Sequence, residues 1–239
     1  MKINSYLAAA LIAQYKDATV FSGHTHFKRG YAGVKSTAMY EHVHAAVCGT
    51  GWWSSVESDG CPNGYTVYRI NGTEIADEYF IGTNAPMNTR SCQMRVYRGN
   101  ITTGGDYVKF KWPYSSGTIL INIFNGDSRW KKVEVWENGS FSGYADLMPQ
   151  KNGAYDEIKA GSTYAIPSGV TNDWWAAGLD LNILNAANDS FQAGNFHMWK
   201  YVLKDPSAKV EVRATDPYGR VYTCNEIVEN GLEYPSYLY

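Results

Sequence analysis

Four of the five histidines in this 239-residue chain fall between positions 24 and 44. They form two pairs of equal spacing, His24/His26 and His42/His44. Neutral imidazole is a common ligand of divalent transition metals, so two pairs in one short stretch point first to metal chemistry. His24 and His26 belong to Ser22-Gly-His-Thr-His26, directly behind Ala18–Ser22, an apolar, β-branched run that suits a short buried strand. Gly23 is expected to supply the sharp turn, having no Cβ to clash. In an extended loop alternate side chains point the same way. Both imidazoles would then face one site beyond the carboxyl end of a strand, where open α/β sheets place their ligands. His42 and His44 share one face of a predicted strand over Glu41–Cys48. They are read first as strand residues hydrogen-bonded beside that site, and second as additional metal ligands or lining. Four imidazoles together could hold zinc or nickel.

The elements that must position these residues are an α/β fragment and a long β-rich remainder. Ile3, Tyr6 or Leu7, Ala10, Leu11 and Gln14 fit one apolar face of a helix, with Ser5 near its start. Met1-Lys2 and the apolar run after it imitate a secretory leader, but the strand follows without a cleavage region, so a structural helix is the reading adopted. One helix and one strand cannot close a layered domain. Lys28–Tyr40 reads as a connection. Tyr65–Ile70 and Thr73–Phe80 read as strands joined at Asn71-Gly72, where both residues tolerate the positive φ of a type I′ turn; Asn138-Gly139 marks a second such hairpin. A polar stretch, Ile81–Ser91, is the expected domain boundary. Beyond it come Gln93–Arg98, Tyr107–Trp112, Thr118–Phe124, Lys132–Glu137, Phe141–Asp146, His197–Leu203, Lys209–Thr215 and Val221–Cys224. Strands at this spacing predict a β-sandwich, and Asn172–Asn188 has room for a short helix.

Net charge is only −2, which gives no strong pull toward nucleic acid or anionic membrane. No run is long enough to span a bilayer as a helix. Four cysteines are too few for a disulfide scaffold in a chain this long. Cys48 with Cys61, and Cys92 with Cys224, could pair, but free thiols are the favoured reading. Trp52, Trp53, Trp174, Trp175 and Trp199 are assigned to core or interface packing in preference to a sugar platform. His197 is assigned a structural role.

Ser22-Gly-His-Thr-His26 resembles the last metal-binding motif of the calcineurin-like metallophosphoesterases. The resemblance continues along the chain toward a bacterial branch with an additional C-terminal β domain. Cys48-Gly-Thr-Gly-Trp-Trp53 and Asp59-Gly-Cys-Pro-Asn-Gly-Tyr65 resemble the segment that closes the phosphoesterase domain. Gln93-Met-Arg-Val-Tyr97 resembles the start of the β domain, and Ile121-Asn-Ile-Phe-Asn-Gly-Asp127, with Trp130 and Val133–Trp136, its central hairpin. His197-Met-Trp199 and Val212–Gly219 resemble its last strands.

The resemblance implies hydrolysis of a phosphate ester by two divalent ions (Mn, Fe or Zn) and assigns His24 and His26 as metal ligands. It also suggests an exported or periplasmic location. The superfamily's earlier motifs, Asp-x-His, Gly-Asp-x-x-Asp and Gly-Asn-His-Asp/Glu, precede the final one, yet none occurs in residues 1–23. Gly105-Asp106, Gly126-Asp127 and Gly194-Asn-Phe-His197 lie downstream with unsuitable spacing. The expectation is therefore a mainly β chain in two parts. Residues 1–85 would be the C-terminal remnant of a calcineurin-like αββα sandwich, with a truncated catalytic site. Residues 91–239 would be a β-sandwich accessory domain. No catalytic residue is assigned, and no activity is expected from this chain unless an N-terminal catalytic fragment complements it. The alternative is a non-catalytic module in which the β-sandwich recognises a glycan, a lipid headgroup or a protein.

Overall fold

The computed structural model describes residues 5–15, 17–32, 40–48, 54–149, 161–166, 172–184 and 195–231. Trp52 and Trp53 lie outside the described residues. The N-terminal part holds α1 (Ser5–Ile12), β1 (Thr19–Ser22), β2 (Arg29–Ala32) and β3 (Tyr40–Val43). They build a three-stranded sheet of order β1-β3-β2, with β3 parallel to β1 and antiparallel to β2. The connection expected over Lys28–Tyr40 thus contains a strand. Arg29-Gly-Tyr-Ala32 has little apolar alternation of its own, and it is held by pairing with β3.

The apolar side chains of this part are conspicuously uncovered. Leu7 is 51% exposed, Leu11 63%, Tyr15 73% and Phe21 48%. The apolar face expected on the helix is therefore solvent-facing within this chain. Parallel strand pairs normally occur in layers covered on both faces.

A long hairpin follows, β4 (Gly64–Asn71) and β5 (Glu74–Gly82). Its turn differs from expectation. Asn71 pairs with Glu74, so the loop is Gly72-Thr73, and Gly72 alone has a positive φ of 62°. Glycine at the first loop position suits a type II′ turn, not type I′.

The remaining elements are β6 (Met94–Arg98), β7 (Thr102–Gly104), β8 (Val108–Lys111), β9 (Thr118–Ile123), β10 (Lys132–Glu137), β11 (Ser140–Tyr144), β12 (Asp146–Leu147), β13 (Ser162–Ala165), α2 (Trp174–Leu184), β14 (Met198–Val202), β15 (Val210–Thr215), β16 (Val221–Cys224) and β17 (Ile227–Val228). The run expected over Phe141–Asp146 divides into β11 and β12, which join different sheets. Asn138 (φ 52°) and Gly139 (φ 81°) are both left-handed, so the β10–β11 hairpin has the predicted type I′ geometry.

These strands form a β-sandwich. One sheet has the order β11-β10-β15-β16 and the other β12-β14-β9-β6-β17. Val133, Val135, Val212 and Ala214 alternate inward along β10 and β15 and meet Val96, Ile119, Ile121, Ile123 and Trp199 of the second sheet. The far face of that second sheet is covered by α2 and by a small sheet, β13-β8-β7, through Tyr97, Leu120, Phe110, Trp174 and Trp175. Every residue of β9 is consequently buried, which its sequence Thr-Ile-Leu-Ile-Asn-Ile reflects. Asp173 caps α2, its Oδ1 accepting the N–H groups of Trp175 (3.1 Å) and Ala176 (3.0 Å).

Residues on either side of Ile81–Ser91 are in contact. Gln93 accepts from Phe80 N–H at 3.0 Å and donates to Phe80 C=O at 2.7 Å, and Phe80 meets Phe124 edge-on. Cys61, Cys92 and Cys224 are free thiols. Among the described residues no helix is long and apolar enough to cross a membrane.

Candidate functional site

His24 and His26 lie just past the carboxyl end of β1, as the sequence predicts. The loop that carries them is not extended. His24 has φ 80° and His26 φ 56°, so the left-handed turns fall on the histidines and not on Gly23. Non-glycine residues with positive φ are uncommon, although histidine is enriched among them. Such conformations cost of order 1–3 kcal/mol each and cluster at functional sites. His24 is exposed and His26 half-buried, with its Nδ1 at 4.0 Å from Cys48 Sγ.

His42 and His44 occupy different surroundings. His42 is buried, with Nδ1 3.2 Å from Tyr68 Oη and 4.0 Å from Glu78 Oε2. Its ring stacks on Phe21 at 5.4 Å; His44 stacks on the same phenyl ring at 6.0 Å and meets Tyr68 edge-on. Burial, then the charges of Lys28 and Arg129, push His42 down to about 3. Burial and Lys28 push His44 down to about 4. Both rings are therefore neutral near pH 7 and held by aromatic packing. Among the described residues the four imidazoles do not join a group of three or more close metal-ligating side chains.

Beneath β3 lies an ionic network that sequence reasoning missed. Arg129 Nη2 is 2.6 Å from both Glu78 Oε1 and Asp127 Oδ2, and Tyr40 Oη donates to Asp127 Oδ2 at 2.5 Å. The network joins β3, the β4–β5 hairpin and the β9–β10 connection, so it clamps the histidine-bearing sheet to the sandwich. Burial opposes ionisation of Asp127, but the hydrogen bonds and charge of Arg129 outweigh it and hold that carboxyl below its usual range. At Glu78 burial prevails, and its carboxyl is raised. Lys28 is fully buried beside the same groups; burial lowers its pKa, and its Nζ has no hydrogen-bond partner among the described residues.

The group that does bring three ligand types together is Asp59, Cys61 and His197, all at 0% exposure. His197 Nε2 lies 3.1 Å from Asp59 Oδ2 and 3.8 Å from Cys61 Sγ, which in turn donates to Phe124 C=O at 3.1 Å. Gly60, with φ 84°, permits the turn, because a Cβ there would collide with the Asp173 carboxylate. Asp59-Gly-Cys61 and His197 are 136 residues apart in sequence, which leaves no local spacing to reveal the cluster.

Residues 41–222 match the family described as the C-terminal domain of calcineurin-like phosphoesterases. Neither the curated proteins nor the solved structures include a match.

Proposed function

Because the chain belongs to the family of calcineurin-like phosphoesterase C-terminal domains, we propose that it is the C-terminal part of a metal-dependent enzyme that hydrolyses phosphate esters. In this reading His24 and His26 are two of the ligands of a two-metal site, and the other ligands come from polypeptide outside these 239 residues. Two such ions, when bound, polarise the phosphoryl group and make a bound water acidic. The contribution of this chain is to hold two imidazoles at the end of β1, with the backbone turned at each of them.

The observation that carries the reading is the placement of the two left-handed histidines at the carboxyl end of a strand paired in parallel with β3, in a part of the chain that leaves Leu7, Leu11, Tyr15 and Phe21 exposed. A second layer seated there would cover Leu7, Leu11, Tyr15 and Phe21. Burying such a side chain fully contributes about 1.5–3 kcal/mol, so a handful suffices to hold a partner segment. The donor set supports a shared site: two imidazoles alone do not complete a metal shell. A purely glycan-binding role draws less support. Trp136, Phe141 and Tyr144 cluster at the sandwich surface, but their rings meet at 71° and 62°, not in the flat row a sugar platform needs.

The test compares hydrolysis of an aryl phosphate, with Mn2+ or Zn2+ present, by this chain alone and by the chain joined to a segment carrying the earlier motifs. The expected result is no turnover alone, turnover when joined, and loss of it on His24→Ala or His26→Ala. Turnover by the isolated chain, abolished by the same substitutions, would show the site to be complete within it.

A further inference from the structure

We propose that Asp59, Cys61 and His197 form a structural site for one thiophilic divalent transition ion of the zinc class, separate from the ligand pair His24/His26. The three donors come from a loop after β3 and from the residue just before β14, and the carbonyl of Phe124, just past β9, lies beside the sulfur as a fourth donor. A tetrahedral ion with M–S of about 2.3 Å and M–N or M–O of about 2.0–2.1 Å sets S and N about 3.5 Å apart, and N and O about 3.3 Å apart. The observed separations are 3.8 Å for Cys61 Sγ to His197 Nε2 and 3.1 Å for His197 Nε2 to Asp59 Oδ2, with 3.1 Å from Sγ to the Phe124 oxygen. The Asp59, Cys61 and His197 ligand atoms all lie within 4.8 Å of one another, close enough to share one ion, and the Phe124 oxygen adjoins the sulfur.

The chemistry of the donors narrows the ion. A thiol, an imidazole and one carboxylate suit zinc, cobalt or ferrous iron, whereas magnesium and calcium prefer all-oxygen shells. The carboxylate is also braced as ligating carboxylates are. Asp59 Oδ1 accepts Cys61 N–H at 2.9 Å and Oδ2 accepts Lys28 N–H at 2.5 Å; Asn122 and Asn195 hold the Asp59 carbonyl. In the metal-free form one proton lies on Cys61 Sγ, where it is donated to Phe124, and one on Nε2, where it faces Asp59. Ion binding moves the ring proton to Nδ1, which has no hydrogen-bond partner among the described residues, and releases the thiol proton to solvent. One proton leaves for each ion bound. The ion would staple the loop bearing Asp59 and Cys61 to β9 and β14.

The test is to unfold the whole chain in chelator, refold it with Co2+, and record the absorption spectrum. The expected result is one Co2+ per chain, with the visible bands of a tetrahedral ion and a near-ultraviolet thiolate-to-cobalt band. Cys61→Ser removes the thiolate band, and Cys224→Ser, at a free thiol outside the cluster, leaves the spectrum unchanged. X-ray absorption of the wild-type zinc form keeps the test independent of whether a variant folds, and should show one sulfur at about 2.3 Å. A spectrum that survives Cys61→Ser, or that is lost instead with Cys48→Ser, would overturn the assignment. So would a first shell without sulfur, or failure of the refolded chain to bind Co2+.

Discussion

Replacing Arg129 with methionine is expected to destabilise the chain severely at neutral pH and less so in mild acid. Arg129 is 29% exposed at its side chain, but its partners Glu78 and Asp127 are only 1% and 2% exposed. Methionine preserves most of the volume and removes the cation. Taking one member from a buried ionic group costs about 3–5 kcal/mol, since the stranded charge remains. Partial exposure of Arg129 places the expectation near the lower end, about 3 kcal/mol, a large share of the 5–15 kcal/mol typical of a folded domain. The pH dependence has a definite sign. In the wild type the Asp127 carboxyl is held below its ordinary value, so its stabilisation is present above that value and is lost only as pH falls through the depressed one. Without Arg129, burial raises the carboxyl, and its protonation in mild acid relieves the stranded charge. Urea unfolding followed by tryptophan fluorescence at pH 7 and pH 4.5 measures both effects. A cost below about 1 kcal/mol, as for an exposed ion pair, or an equal cost at the two pH values, would refute the reasoning.

Three further outcomes follow from the same structure. Gly60→Ala, at φ 84° with the Asp173 carboxylate against the new Cβ, is expected to prevent folding or to cost well over the effect of Gly139→Ala, where space is open and the left-handed backbone alone costs about 1 kcal/mol; paired thermal melts check the contrast. His42 and His44, pushed to about 3 and about 4, should show no imidazole titration by NMR between pH 8 and pH 5, and since the unfolded rings take up protons near 6.5, stability should fall as pH drops from there toward 4. A ring titrating near 6.5 would contradict the packing described. The double substitution Leu7→Ser with Leu11→Ser should change the stability of this chain by under about 0.5 kcal/mol, because both side chains are already exposed, yet weaken its association with a catalytic segment in a pull-down.

The sandwich was legible because its strands carry their own pattern. Val133 and Val135, and Val212 and Ala214, alternate as a half-buried strand must, and β9 is apolar on both faces at Ile119, Leu120, Ile121 and Ile123 because both faces are covered. The short strands were not legible. Arg29-Gly-Tyr-Ala32, Thr102-Thr-Gly104 and Ser162–Ala165 owe their pairing to neighbours distant in sequence, and three or four residues cannot display a period. The histidine pair was located correctly relative to β1, but its backbone was not, because nothing in Gly23-His-Thr-His26 says which residue takes the left-handed turn. The buried ionic network and the Asp59–Cys61–His197 cluster join residues dozens to more than a hundred positions apart, so only the fold brings them together.

The assignment of His24 and His26 as metal ligands is tested most directly by anomalous diffraction at the zinc edge, on crystals of the chain assembled with a segment carrying the earlier motifs. Besides the ion held by Asp59, Cys61 and His197, two ions are predicted at the shared site, with ring nitrogens of His24 and His26 about 2.1 Å from them. A two-ion site formed without either histidine would contradict the account.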